Sequence, residues 1–432
     1  MLSRRAVLAA GAAALTPTSF AARAEAPPTI LRVAPREIIV NGKSASVCGI
    51  SQLDGLSGLF TEIGKPFRVR VENGLDKPSL IHWHGLTPPW RQDGVPGISG
   101  PPIPPRGSAD YDFPLTFGGT FWMHSHEGLQ EQLLLAAPLI VRDQRDLADR
   151  QEVVVLLADF SFTPPEQIFE GLRKSGSTTG VAAMAGMAAA PTAPKMAMPG
   201  VKMRASAPSK TIGGMKMGGS AAPTPPDLND VKYDAFLANL RTLADPDIVK
   251  VEPGGRALLR IINGSSMSAF HIGLGALNGE LIAVDGFEIA PIRGRRFPVA
   301  TAQRLDIRVS IPPGPGAYPI LAQLEGERRQ TGIVLVAGKG TVARVPDLAT
   351  AASPALSLDF ERTLRATKPF ALRKADRVHV LNLTGEMAGY VWSINNVVEQ
   401  GRSALAGRGG REGRARVRQP DADVPSNASA WA

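Results

Sequence analysis

The chain contains few cysteine, histidine and aromatic residues. It has a single cysteine, Cys48, among 432 residues, so no disulfide can form within it. There are six histidines, and aromatic residues make up only 6% of the chain. Beyond the N-terminal segment, no apolar run is long enough to cross a membrane. A fold of this chain must therefore depend on a non-covalent core, which a chain of this length can build.

The formal net charge is +9, so nucleic-acid binding is the first function to test. Much of the basic excess lies in the N-terminal segment and in a Gly/Arg-rich stretch near the C-terminus. Neither stretch forms a basic face interleaved with aromatic residues. We therefore expect no nucleic-acid partner. We also expect a monomer, and the absence of a long apolar run predicts no membrane span.

The N-terminus has the pattern of a targeting segment. Arg4 and Arg5 precede an apolar stretch from Ala6 to Leu15, and small residues follow around 22–24. This order matches the three regions of a secretory signal. The adjacent arginines indicate the twin-arginine route, which exports folded proteins, and an ordinary secretory signal is the alternative. Residues 1–26 are thus a predicted signal segment, and the mature chain is expected in the periplasm.

Short apolar-alternating runs, broken by Gly, Pro and Asn, fill three further blocks. The first block covers residues 27–145, the second 146–345 and the third 352–398. Typical runs are Phe67–Val71 and Val378–Leu383. Their length and spacing predict an all-β protein built from β-sandwiches.

Two stretches are predicted to be disordered. Residues 175–226, inside the second block, consist mainly of Ala, Gly, Pro, Ser, Lys and Met, a composition that cannot bury enough apolar area to order itself. Residues 399–432 are Gly/Arg-rich, and we expect them to complete no sheet.

The stretch 175–226 also holds seven of the eleven methionines, which are Met184, Met187, Met196, Met198, Met203, Met215 and Met217. Thioethers are soft ligands that select Cu(I), so one interpretation is a Cu(I) site. The other is a flexible loop whose methionines have no ligand.

Two H-x-H motifs carry four of the six histidines: His82 and His84, then His124 and His126. Residues i and i+2 of a strand share one face, so each motif presents two imidazoles on the same side. Neutral imidazole suits copper, zinc and iron. The two motifs predict a metal site, against the alternative of ordinary core or surface histidine pairs. His271, His379 and Cys48 are interpreted as buried structural residues.

A resemblance makes the metal site more specific. The chain carries HWHG at 82–85, DGVPGISGPPIPP at 93–105, GTFWMHSHEGLQEQ at 119–132 and then APLIV. These stretches resemble the first domain of the three-domain multicopper oxidases, which include laccase-like enzymes and bacterial copper-resistance oxidases. YDAFLAN, LRIINGSS and AVDG extend the resemblance into the second block. It covers about residues 30–398 apart from the insert, and implies tandem cupredoxin-like Greek-key sandwiches with the third one incomplete.

The resemblance also implies a cofactor, roles for the histidines and a reaction. His82 would bind the type 2 copper, and His84, His124 and His126 would bind the type 3 pair. The remaining ligands and the type 1 copper site would come from the third domain. The implied reaction couples one-electron oxidation of a reducing substrate (Cu(I), another metal ion or a phenol) to reduction of O2 to water.

The sequence departs from that family after its WSIN motif at 392–395. A family member then shows an HPMHLHG-type motif and later an H-C-H motif, and neither occurs here. Val424–Trp431 can be encoded by a set of codons that, read one base later, gives Cys-His-Pro-Met-His-Leu-His-Gly. We therefore predict a frameshift near Val398, which the nucleotide sequence would test. With half the ligands and no type 1 site, the chain is expected to bind copper weakly and to lack oxidase turnover.

Two other functions remain as alternatives. One is a periplasmic protein that sequesters copper for copper tolerance, using the four histidines and the methionines. The other is a copper-free structural relative of the same fold, such as the cell-division proteins. The presence of both H-x-H motifs argues against the copper-free alternative.

Overall fold

The computed structural model describes residues 27–143, 151–174, 228–371, 377–386, 390–397 and 413–418. These residues form 22 strands, and residues 165–174 are helical. The predicted signal segment, the Met-rich stretch and most of the C-terminal stretch lie outside the described residues. Among the described residues, no helix combines the length and the apolar character needed to cross a membrane.

The first block folds into two four-stranded sheets, ordered β2-β1-β4-β6 and β3-β8-β7-β5. Their bounds are β1 Thr29–Val40, β2 Lys43–Ser51, β3 Leu59–Glu62, β4 Pro66–Asn73, β5 Ile81–His84, β6 Ser108–Pro114, β7 Gly119–Ser125 and β8 Ala136–Arg142. Strand β4 shows why the pattern gives a sandwich. Phe67 and Val69 are buried in the core, whereas Arg68 pairs with Asp112 of β6 on the outer face.

The second block forms a six-stranded sheet, β10-β9-β12-β17-β14-β15, and a five-stranded sheet, β11-β19-β18-β13-β16. The bounds are β9 Gln151–Phe160, β10 Ala235–Ala238, β11 Asp247–Val251, β12 Arg256–Asn263, β13 Phe270–Gly273, β14 Gly279–Val284, β15 Phe287–Gly294, β16 Arg296–Val299, β17 Arg304–Ser310, β18 Gly316–Leu324 and β19 Gln330–Ala337. Both sheets contribute to one apolar core, in which Leu259, Phe270 and Leu335 are fully buried.

The two blocks share a buried boundary that is partly apolar and partly ionic. Trp122 and Ile140 of the first block pack with Ile262 of the second. Beside them, Arg260 donates to Glu152 at 2.6 Å, to Asp306 at 3.1 Å and to the Thr120 hydroxyl at 2.9 Å. Because Thr120 lies on β7, the network ties the second block to the strand that carries His124.

Two strands of the third block and one strand from the stretch after it form a three-stranded sheet, β21-β20-β22, with bounds β20 Arg377–Glu386, β21 Val391–Ile394 and β22 Gly413–Arg418. Strand β22 pairs in parallel with β20. The prediction that residues 399–432 add no strand is therefore wrong for 413–418. Residues 414–418 alternate Arg with Ala and Val, a strand period, and the free edge of β20 offers unpaired backbone groups.

Candidate metal centre

Strands β5 and β7 bring the four histidines of the H-x-H motifs together. The strands are antiparallel, and His82 lies directly opposite His124. Ile81 and Trp83 are fully buried in the first-block core, so His82 and His84 project from the other face of β5. His126 follows the end of β7, where its backbone N–H donates to Leu80 O. The strand pairing therefore sets the positions of His82, His84 and His124, and the residue after β7 adds His126.

All four predicted residues lie in one cluster. His82, His124 and His126 each offer a ring nitrogen, and these atoms lie within 4.8 Å of one another. His84 joins through its Nδ1 atom, 3.3 Å from Nε2 of His124. This grouping sets His84 apart from the other three, whereas the resemblance assigns His82 alone to the type 2 copper. The assignment to copper types stays a prediction.

Neighbouring oxygens orient two of the rings. His82 Nδ1 lies 2.7 Å from the carbonyl oxygen of Asp93. A carbonyl can only accept, so Nδ1 carries the proton and the lone pair of Nε2 is left for a ligand. His124 Nδ1 lies 3.3 Å from Oε2 of Glu131. A carboxylate or carbonyl behind an imidazole is the arrangement found around metal-binding histidines.

Burial keeps two rings of the cluster, those of His84 and His126, uncharged. It is the largest cause that lowers the pKa of His84 to about 2, and nearby Arg304 and the other histidines lower this pKa further. Burial, then His124 and His82, lower the pKa of His126 to about 4, although Glu131 and Asp93 act in the opposite direction. Both rings are thus neutral at pH 7, the form that binds metals.

The cluster fits a copper ion. His124 Nδ1 and Asp93 Oδ1 make no hydrogen bond within the described part of the chain, but each has an ion-pair partner at 3.3 Å, Glu131 Oε2 for His124 and His82 Nδ1 for Asp93. Two nitrogens that bind one ion at about 2.0–2.1 Å in tetrahedral geometry lie about 3.3 Å apart. This matches the 3.3 Å between His84 Nδ1 and His124 Nε2. Neutral imidazoles suit copper, and they suit zinc and iron as well.

The other predicted structural residues give mixed outcomes. His271 is buried and its Nε2 lies 3.0 Å from Pro354 O, which confirms the core interpretation. Cys48 is buried, which confirms the buried interpretation, and burial raises the pKa of its thiol. For His379 the core interpretation is wrong, because it is half-buried on β20, next to the exposed Val378.

Three residues near the site were not found from the sequence. Asp93 and Glu131 lie inside the stretches that carry the resemblance, but only the folded turns bring them to His82 and His124. Arg304 comes from the second block and donates to Thr120 O at 3.2 Å. No local pattern marks it, because its contact depends on how the two blocks pack.

Comparison with known proteins identifies the family of this chain. Two family models, each described as multicopper oxidase, match residues 49–146 and 200–338, together more than half of the chain. The chain belongs to the multicopper oxidase family, in its copper-resistance and laccase branch.

Among curated relatives, a copper resistance protein A homolog of Pseudomonas syringae pv. tomato is 30% identical over 301 residues, covering 68% of this chain and 49% of the relative. Copper resistance protein A of Escherichia coli is 31% identical over 289 residues, covering 66% and 46%. The multicopper oxidase MmcO of Mycobacterium tuberculosis is 26% identical over 400 residues, covering 90% and 73%. The chain spans about half the length of the copper-resistance relatives.

Solved structures show the same fold. A laccase from Botrytis aclada has a TM-score of 0.63 at 20% identity, covering 86% of this chain and 65% of the laccase. A multi-copper oxidase from Pseudomonas thermotolerans has a TM-score of 0.56 at 20% identity, covering 90% and 80%. These similarities confirm the predicted all-β, cupredoxin-like architecture.

Proposed function

We propose that this chain is a periplasmic copper-binding protein of the oxidoreductase type, exported by the twin-arginine route, in which His82, His84, His124 and His126 hold copper. The observation that carries the proposal is the convergence of four imidazoles from β5, β7 and the residue after β7. The family membership and the names of the copper-resistance relatives support copper as the ion. Copper, when bound, supplies one-electron oxidation and reduction between a reducing substrate and O2.

The residues of the chain prepare the site before any ion binds. The Asp93 carbonyl fixes the tautomer of His82, and the Glu131 carboxylate lies behind His124. Trp122 stacks on His124 with ring centroids 4.1 Å apart and planes 15° from parallel. Trp122 is 1% exposed, so it holds the imidazole in place and keeps water from that side. This pre-organisation lowers the cost of ordering the ligands.

The four histidines supply only part of the ligand set that the family resemblance implies. The printed sequence has no histidine after His379 and no cysteine after Cys48. We therefore propose that this chain binds copper without oxidase turnover, and that a frameshift near Val398 accounts for the missing motifs. Sequestration of copper for copper tolerance is the second candidate, supported by the seven methionines in 175–226. The reducing substrate of a complete oxidase would be Cu(I), another metal ion or a phenol.

Copper titration of the full chain tests the proposal. We expect bound copper, measured by elemental analysis after gel filtration, to fall at least tenfold in His84→Ala/His124→Ala. His379→Ala is the matched control, since this half-buried histidine lies on β20 outside the cluster, and its copper content should equal that of wild type. Copper content unchanged in the double variant would contradict the site.

Oxygen uptake tests the absence of turnover separately. The copper-loaded chain should consume no O2 in the presence of a phenolic substrate. Sustained oxygen uptake by the wild-type chain that disappears in His84→Ala/His124→Ala would support the proposed copper site. It would contradict only the proposal that the chain has no oxidase turnover.

A further inference from the structure

An arginine-lined groove lies on the second block, apart from the histidine cluster. It encloses about 780 Å³ on the six-stranded sheet. Its lining includes Arg256, Arg293, Arg295, Arg308, Glu280 and Ser310. A volume of this size lies within the range of small-molecule sites, which is about 300–1,000 Å³.

Cross-strand register creates the groove. Glu280 of β14 lies opposite Arg308 of β17 on one side and opposite Arg293 of β15 on the other. Ile307 and Val309, which flank Arg308 in β17, are buried in the core. Arg308 therefore projects from the outer face of the sheet.

The groove is distinct from the boundary with the first block. On β12, Arg256 opens the strand, whereas Arg260 joins the buried network with Thr120. Arg260 lies four positions after Arg256 along the strand, a distance of about 13 Å. The groove therefore lies on the part of the sheet that extends beyond the contact with the first block.

The charges in the groove are unbalanced and loosely paired. Four arginines face one carboxylate, Glu280. Glu280 lies 3.4 Å from Arg308 and 3.6 Å from Arg293. In the boundary network, by contrast, Arg260 lies 2.6 Å from Glu152. Charge-assisted N–H···O bonds are about 2.7–2.9 Å long, so the two groove pairs are longer and weaker contacts than these.

One donor has no partner within the described ranges. Nε–H of Arg308 is buried and donates to no acceptor there, while the side chain as a whole is 41% exposed. The side chain of Arg293 is 89% exposed. A guanidinium offers a planar fork of donors that matches carboxylate, sulfate and phosphate oxygens. An apolar ligand would instead have to desolvate these charges without compensation.

We propose that this groove binds an oligoanion, a short chain that carries two or more anionic groups. The arginines lie on three strands of the sheet and in the turn after β15, so they can contact successive groups of such a chain. The same chemistry is found in an acidic oligosaccharide, which carries carboxylates, and in an inorganic oligophosphate. This binding requires no copper, and it goes beyond the function proposed for the histidine cluster.

The test is calorimetric titration of the full chain, without added copper, with trigalacturonate and with tripolyphosphate as two separate probes. Binding of trigalacturonate alone would identify a sugar acid as the source, and binding of tripolyphosphate alone would identify a phosphate chain. Either result supports the groove. Failure of both probes to bind at millimolar concentration would overturn the proposal.

Two charge-matched double variants separate the groove from net charge. Arg293→Gln/Arg308→Gln should weaken binding of the active probe at least tenfold. Lys339→Gln/Arg344→Gln removes the same charge from exposed positions outside the groove, and should change binding less than twofold. Equal weakening in both pairs would show attraction to the basic chain as a whole and overturn the site.

Because Arg308 is half-buried, its substitution can weaken binding by disturbing the fold. A third variant separates that effect from the loss of a binding contact. Arg256→Gln/Arg293→Gln changes only exposed side chains and should also weaken binding at least tenfold, with an unchanged thermal unfolding midpoint. Wild-type affinity in this variant would contradict the assigned residues.

Discussion

The first two blocks and the third block use the same strand pattern with opposite results. In the first two, paired sheets face each other and enclose side chains such as Phe121 and Phe270, both 0% exposed. The third block has one sheet, β21-β20-β22, with no facing sheet among residues 377–386, 390–397 and 413–418. Its Val378 is 56% exposed and Val380 is 43% exposed.

The difference shows what an alternating pattern encodes. Alternation specifies a strand with an apolar face, but a second layer is needed to bury that face. The histidine cluster depends on that second layer. Its strands β5 and β7 lie in a complete sandwich, and β7 is held against the second block by Thr120 and Trp122.

The largest expected effect comes from breaking the boundary between the two complete blocks. Arg260→Met removes the guanidinium that pairs with the buried carboxylate of Asp306, whereas Glu152 keeps its ion pair with Arg142. Loss of one partner of a buried ionic network destabilises by about 3–5 kcal/mol. Urea unfolding, followed by tryptophan fluorescence, measures this loss, since Trp122 lies at the same boundary.

The matched control is Arg344→Met, which removes an exposed arginine from the segment after β19 and should leave the unfolding midpoint unchanged. If Arg260→Met behaved like this control, the boundary network would contribute nothing to stability, and the contrast with the third block would rest on apolar packing alone.

The sequence predicted the histidine cluster because its determinants are local. Each H-x-H motif places its own two imidazoles on one face, and pairing of β5 with β7 then brings the two motifs together. By contrast, the oxygen that orients His82 belongs to a loop residue, Asp93, and Arg304 arrives from the second block. Such contacts depend on loop geometry and block packing, which no local period encodes.

The groove and β22 were not predicted, for a related reason. Arg293 and Arg308 are separated along the chain and become neighbours of Glu280 only through the order of β15, β14 and β17. For β22, the Gly/Arg-rich composition concealed a two-residue alternation that runs over five residues, 414–418. Pairing with β20 is a long-range event that composition cannot reveal.

The second-largest expected effect is a pH dependence of the free energy of unfolding, caused by the histidine cluster. The pKa values of His84 and His126 are lowered from 6.5 to about 2 and about 4. Between these values and 6.5 the unfolded chain binds more protons than the folded chain. The stability that the neutral rings contribute is therefore fully present above pH 6.5 and is lost as the pH falls. Each ring contributes a slope of up to about 1.4 kcal/mol per pH unit.

Urea unfolding of the copper-free chain from pH 7.5 to 4.5 measures this dependence, and His126→Asn should reduce the slope between pH 6 and 4.5. An identical slope in the variant would show that His126 is protonated in the folded chain across this range. At pH 7.5 both rings are neutral whether the chain is folded or not, so the pH-dependent term is absent there in wild type and variant.

The smallest expected effect tests whether the apolar face of β20 is exposed to solvent. Val380→Thr on β20 replaces a methyl by a hydroxyl at a site that is 43% exposed, so the free energy of unfolding should change by less than about 0.5 kcal/mol. The same substitution at Val155 of β9, which is 2% exposed, buries a hydroxyl in the second-block core and should cost about 1–3 kcal/mol. Shape is nearly conserved in both, so burial is the variable that differs. A loss at Val380 as large as that at Val155 would mean that the apolar face of β20 is covered in solution, and the contrast between layered and single-sheet blocks would then fail.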